Sequence, residues 1–399
     1  MIRRALLPLC CLLLSQTLAV GQSSSQRQSW FVSAQGNAGT VMQSNSFVNG
    51  PRQIPFYRST ALKAGVAVRE GSPLDRIYGH PYFGLGFYHA EFFRDADLGS
   101  PWSVYLLQGA TPWRIAPWLG AGYELNLGLS WGWVPYNIKV KPQNIAIGSH
   151  VDVLFSVNAY LRWLLSRRLS MLTGASFTHF SNGDTHLPNN GINAISGFAT
   201  LNYAFDAGRA LLHDDSPKFT EPPARRFVHD LTISTSVRGV KLDTLGTGLS
   251  LRYYNNRLQV WNVSYSLLRV AGWRYLWGPS VEMTYDESAG ARGWTEPDPV
   301  TGAPVDRFAL APLADRLTLG LSLKGEMEMP YYSAFVQVGY DVARSRVNHP
   351  EEPARLYQIL GLRFFPYKGL FCTFAIRATR FQSAQYFLLG AGWRFGTRG

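Results

Sequence analysis

Apolar and polar residues alternate along most of this chain. Trp30, Val32 and Ala34 interleave with Phe31, Ser33 and Gln35, and Leu62, Ala64, Val66 and Val68 with Lys63, Gly65 and Arg69. The clearest run sets Leu119, Ala121, Tyr123, Leu125, Leu127 and Leu129 against Gly120, Gly122, Glu124, Asn126 and Gly128. A period of two sends successive side chains to opposite faces of a β-strand. Several runs reach roughly ten residues or more, the length a tilted strand needs to cross a bilayer. Soluble strands usually stop at about five or six.

Eight such stretches precede residue 207, at about 28–38, 58–69, 79–90, 102–110, 115–131, 149–165, 168–181 and 192–206. Eight strands are enough to close a small barrel. Residues 208–226 carry charge and proline without alternation and read as a linker. Within it, His213, Asp214 and Asp215 are better read as a solvated charge cluster than as metal ligands. From 227 to 399 alternation resumes and about eight further strands fit, the last placing Phe387, Leu389, Ala391, Trp393 and Phe395 on one face. The fold class is therefore all-β, an antiparallel transmembrane β-barrel of outer-membrane type. Two tandem eight-stranded barrels over 22–207 and 227–399 are the first expectation, and one barrel of about sixteen strands is the alternative.

The remaining features fit an exported protein. Residues 1–21 have the form of a cleaved signal peptide, with Arg3 and Arg4, an apolar run over Ala5–Leu14, and small residues before Gln22. Cys10 and Cys11 would leave with it, so Cys372 would stand alone without a disulfide partner. It reads as a small lipid-facing hydrophobe. No other run approaches the ~18 apolar residues of a membrane helix, which leaves the closed barrel as the spanning structure. Aromatics at 14%, 38 glycines and a mean hydropathy of −0.07 suit strands with one lipid face and one polar face. The net charge of +12 suits anionic lipid head groups as surroundings. Export and the lack of a concentrated basic stripe exclude nucleic acid.

Chemistry concentrates in 178–193. His179 and Ser181 are two apart on the otherwise apolar face of the seventh strand, an odd arrangement for packing alone. A serine hydroxyl becomes a useful nucleophile when a base takes its proton, and histidine is the usual base near neutral pH. A third group must hold the imidazole in one tautomer. After the polar loop 182–191 the chain returns antiparallel, and Asn193 falls in the outward set with Ile195, Gly197, Ala199 and Leu201. His179, Ser181 and Asn193 should therefore share the outer face of one hairpin. Asn182, Asn189, Asn190 and the amides near Gly183 and Asp184 are candidates for an oxyanion hole, which an ester's tetrahedral intermediate requires. With the N-terminus on the periplasmic side, the seventh strand ends outward and the site lies at outer-leaflet depth. Ser-Asn-Gly-Asp is also an ordinary turn signature. A faint internal repeat sets Thr379, Arg380, Phe381 and Gln382 against Thr178, His179, Phe180 and Ser181, which would leave the second half without an active site.

His179-Phe180-Ser181-Asn182, followed by Pro188-Asn189-Asn190-Gly191-Ile192, resembles the lipid A 3-O-deacylase family, also called acyloxyacyl-hydrolase-like. The resemblance spans about 30–206 and leaves 227–399 without a function. It implies an eight-stranded outer-membrane barrel with Ser181 as nucleophile, His179 as base, and Asn189 with a nearby loop amide as oxyanion contributors; Asn190 and Gly191 belong to the supporting loop. The implied reaction is hydrolysis of the ester-linked 3-hydroxyacyl chain at position 3 of lipid A, without metal or other cofactor. The partners it implies are lipopolysaccharide and outer-membrane lipids. One departure stands out, because Asn193 occupies the position of the family's orienting glutamate. A His-Ser-Asn set with this core is similar to outer-membrane phospholipase A, for which calcium would be needed. A non-catalytic channel or surface barrel is the alternative of another class.

Overall fold

The computed structural model describes residues 29–48, 54–68, 72–205, 227–243, 251–344, 354–381 and 383–396. The signal-peptide expectation, the linker with His213, Asp214 and Asp215, and Gln382 lie outside the described residues.

Eight antiparallel strands form the first barrel: β1 Ser29–Val41, β2 Tyr57–Ala67, β3 Tyr82–Glu91, β4 Gly99–Ala116, β5 Leu119–Trp133, β6 Val151–Leu164, β7 Leu169–Ser181 and β8 Ile192–Ala204. Each pairs with the next, and β8 returns to β1 with Phe31 opposite Ala204 and Val41 opposite Ala194. The second half adds β9 Phe227–Asp243, β10 Leu251–Ala271, β11 Tyr275–Asp286, β12 Arg292–Pro297, β13 Pro304–Ala309, β14 Leu317–Met329, β15 Tyr332–Arg344, β16 Leu356–Tyr367, β17 Leu370–Thr379 and β18 Ser383–Phe395. Eight of these close a second barrel through β18 and β9, whereas β12 and β13 form a separate hairpin. Because each sheet closes on itself, the molecule is two eight-stranded barrels and the sixteen-stranded alternative is excluded.

One strand differs clearly from the sequence reading. β4 runs to Ala116 and not 110, and β5 starts at Leu119. Register shifts between Ala110 and Trp113 and between Arg114 and Ala116 explain the difference. Each extra residue resets the alternation without ending the pairing.

Alternation sorts the side chains as a membrane barrel requires. Leu62, Leu201, Leu323 and Leu360 stand exposed on the outside, while Ser33, Asn126, Asn158, Ser266 and Gln337 are buried inside. Such a small barrel is filled by its own side chains. In the first barrel Glu124 is the hub. It accepts from Lys63 Nζ (2.6 Å), Asn158 Nδ2 (3.0 Å), Asn126 Nδ2 (3.2 Å) and Tyr82 Oη (3.1 Å). Above it an apolar cluster that includes Tyr57, Phe92, Trp133, Ile147 and Phe180 closes the end nearest the 182–191 loop.

The barrels touch at both ends. At one end Phe83 stacks on Tyr332 (centroids 5.5 Å apart), and Tyr123 Oη lies 3.6 Å from Met329 Sδ. At the other, Gly239 N–H donates to Asp184 O (2.7 Å), while Leu187 and the Asn255 side-chain amide exchange two hydrogen bonds (2.8 and 3.0 Å). The long loop of the first barrel is thus docked on the rim of the second.

Candidate active site

The site is built on the outer ends of β7 and β8. Between His179 and Ser181, Phe180 turns into the barrel and is fully buried. It meets Trp133 edge-on at 5.0 Å and lies within 6.3 Å of Phe92 and Tyr88. This aromatic anchor fixes the strand end, and strand geometry then sends residues 179 and 181 outward together. His179 is directly opposite Asn193 in the β7–β8 register. Its Nδ1 lies 2.6 Å from Asn193 Oδ1. Asn193 Nδ2 in turn donates to Ser44 Oγ (3.1 Å), which fixes the amide with its oxygen toward the imidazole. Nδ1 therefore carries the proton and Nε2 is left as the basic nitrogen.

Ser181 is buried, and its Oγ accepts a 3.3 Å hydrogen bond from Gly183 N–H. No hydrogen bond joins the imidazole to Ser181 Oγ in this structure; catalytic contacts of this kind often tighten only with substrate in place. The chain doubles back directly after Ser181 because Gly183 (φ +60°) and Asp184 (φ +58°) are both left-handed. Gly191, at φ +71°, passes so close to the ring that an added Cβ would sit 2.8 Å from His179 Cε1.

The other loop residues have separate places. Asn182 Nδ2 donates to Ser149 Oγ (3.0 Å) and His186 O (2.9 Å). Asn189 Oδ1 accepts from Asn182 N–H (3.1 Å), and its NH2 donates to Asp184 Oδ1 (3.2 Å). One amide hydrogen is thus directed to Asp184, and Asn189 also lines the cavity with Ser181. Of the expected oxyanion donors, the Gly183 amide is the one at the serine. Asn190 and Gly191 N–H groups bond to Ile145 O and Ala146 O, docking the loop on the β5–β6 connection. Burial raises the Asp184 carboxyl to about 6, with Arg238 and the Asn189 hydrogen bond opposing the shift.

Two residues that sequence reasoning missed belong here. Ser44 holds Asn193, and Asn45 Nδ2 donates to Gly191 O (3.0 Å). Both lie beyond the end of β1, where no alternation marks them.

A cavity of about 1370 Å³ opens over the site. His179, Ser181 and Asn193 line it from the first barrel, and Arg238, Lys241 and Arg380 from the second.

Two family models match this chain, one in each barrel. A family model described as lipid A 3-O-deacylase (PagL) matches residues 62–202, and one described as acyloxyacyl hydrolase, C-terminal domain, matches 230–397. The second match extends the resemblance beyond the first barrel, where the sequence reading had ended it. Among solved structures, the outer membrane enzyme PagL is 16% identical over 42% of this chain and 97% of that one, with a TM-score of 0.29. A triple-mutant porin from Rhodopseudomonas blastica is 8% identical over 92% of this chain and 100% of that one, with a TM-score of 0.17. The siderophore receptor PirA from Pseudomonas aeruginosa is 9% identical over 94% and 81%, with a TM-score of 0.21. No curated protein matches. The first barrel thus matches the lipid A 3-O-deacylase model and the second the acyloxyacyl hydrolase C-terminal domain model.

Proposed function

We propose that this protein is an outer-membrane serine esterase that removes the ester-linked 3-hydroxyacyl chain from position 3 of lipid A. The observation that carries the reading is the His179–Asn193 pair beside Ser181, on the outer face of the barrel that matches the deacylase model. A lipid in the outer leaflet reaches such a site sideways, without entering the barrel.

In the reaction, Ser181 Oγ attacks the ester carbonyl as His179 Nε2 takes its proton, and Asn193 steadies the imidazolium through Nδ1–H. The tetrahedral oxyanion is met by the Gly183 amide, which is already directed at the serine. Collapse breaks the bond to the sugar oxygen, which leaves with the proton from His179. Water then attacks the acyl-serine ester, His179 again takes and returns a proton, and a 3-hydroxy fatty acid departs. An asparagine holds the tautomer without the negative charge of a glutamate, so imidazolium gains less stabilisation.

The second reading, a phospholipase, is favoured by Asn193 itself. Both are tested by incubating the purified protein in mixed micelles with lipid A, or with phosphatidylethanolamine plus calcium. Release of a 3-hydroxy fatty acid from lipid A, lost in Ser181→Ala, is the expected result. Release from the phospholipid alone would replace it with the second reading.

A further inference from the structure

The two barrels place corresponding positions on one cavity. In the first, Thr178 is buried inside and His179 faces out; in the second, Thr379 is buried inside and Arg380 is exposed. The internal repeat keeps its phase at these two positions and loses it at the next, where Phe180 is buried and Phe381 exposed; Arg380, the counterpart of His179, directly follows the end of the penultimate strand. Both residues line the same cavity. Where the first barrel presents an imidazole, the second presents a guanidinium.

The other cavity cations are already engaged. Arg238 pairs with Asp286 (3.3 Å), and Arg377 holds both oxygens of Asp341 at 2.9 Å. Lys241 and Arg344 have interactions of their own. Among the described residues no carboxylate pairs with Arg380. Its backbone is left-handed (φ +55°), as is that of the following Phe381 (φ +56°), which is 69% exposed and also lines the cavity. Two successive bulky residues in that region are unfavourable in isolation, and such local strain concentrates at functional sites. The turn presents a forked cation beside an apolar ring, on the second-barrel lining of the cavity that Ser181 lines from the first.

We propose that Arg380 is a specificity-determining residue of the second barrel that binds a phosphate group of the lipid whose ester is cut at Ser181. This rests on the deacylase reading above. A guanidinium matches phosphate bidentately, and the rim position leaves the phosphate at the water interface while the acyl ester drops toward His179. The second barrel then acts as a recognition wall, built from a copy of the catalytic fold whose base has become an anion-binding group.

The test compares bisphosphorylated lipid A with lipid A stripped of phosphate, using the full-length protein in neutral detergent micelles. Arg380→Ala and Arg380→Asn, the second chosen because asparagine tolerates the left-handed backbone, should each raise KM for the phosphorylated lipid about tenfold. Each should leave kcat within about twofold and the phosphate-free lipid unaffected. Binding to the Ser181→Ala protein, with and without the Arg380 changes, reads recognition apart from turnover. Tighter binding of the phosphorylated lipid that depends on Arg380 supports the proposal even where no acid is released, an outcome that would remove only the esterase reading. Equal losses on both lipids, or no change in KM and binding on the phosphorylated one, overturns the proposal.

Discussion

The two barrels share a topology and differ in what fills them. The first is held by uncharged hydrogen-bonding groups around the Glu124–Lys63 pair, and its outer end is sealed by aromatic side chains beneath Phe180. The second is held by charge. Asp230 accepts from Arg394 (2.7 and 2.8 Å) and Arg363, Glu326 accepts from both arginines, and Lys324 lies 3.3 Å from Glu326. The outer ends differ in the same way. β7 continues through Ser181 over its buried phenylalanine, whereas β17 stops at Thr379 and leaves Phe381 in the open. The proposed serine site needs side chains held to a fraction of an ångström, and the apolar seal under 179–181 supplies that rigidity. Among the described residues, the second barrel carries Asp341, Arg377 and Gln385 on the cavity at this end, with Arg377 stacked over buried Tyr357.

This contrast can be broken at its strongest points first. His179→Ala should lower turnover by at least about a thousandfold, as removal of a base in a serine site does. The barrel should stay folded, with an unchanged β-sheet circular dichroism spectrum, because the imidazole faces outward. Gly191→Ala should approach the same loss, since its methyl group would press on the ring. Next, Asp230→Ala removes one of the two buried carboxylates shared by Arg363, Arg394 and Lys324, leaves an uncompensated positive charge around Glu326, and should cost about 3–5 kcal/mol, read as loss of second-barrel amide protection in hydrogen exchange. The same change at an exposed pair such as Arg58–Glu91 should cost about 1 kcal/mol or less. Asn193→Ala should lower kcat about a hundredfold, with Asn193→Asp restoring most of it, because a carboxylate can also accept from Nδ1–H.

The smallest effect concerns the seam between the barrels. The Asp184 carboxyl is raised from 3.8 to about 6 in the folded protein, so the folded state holds that proton more firmly than the unfolded chain does. Its stabilising contribution is full below pH 3.8 and is lost as pH rises through about 6. Amides of 182–191 should exchange more slowly at the acidic end of that window, after correction for intrinsic rates. Asp184→Asn should remove the difference.

Much of this architecture was legible in the alternation, because a membrane barrel must satisfy every backbone group and has one face for lipid and one for the interior. The His179–Asn193 pairing followed from the same rule, since strand phase and hairpin return together fix which residues oppose one another. Where bulges reset the phase, as after Ala110, the boundary of β4 was lost. The part played by Ser44 and Asn45 was also hidden, because loop residues brought in from β1 carry no period. Asn189 shows a further limit. Residue type made it an oxyanion candidate, but its bridging of Asn182 and Asp184 within the loop has no mark in the sequence. Neither the charge network of the second barrel nor the cavity shared by His179 and Arg380 has any local signature, because each depends on residues from distant strands.

Everything proposed for the first barrel depends on ester hydrolysis of lipid A at Ser181. Mass spectrometry of lipid A from a Gram-negative host producing the full-length protein, beside the same host producing Ser181→Ala, tests it most directly. The unaltered protein should remove one 3-hydroxyacyl mass, and the variant should leave lipid A intact. Identical lipid A from both hosts, with both proteins folded in the outer membrane, would contradict it.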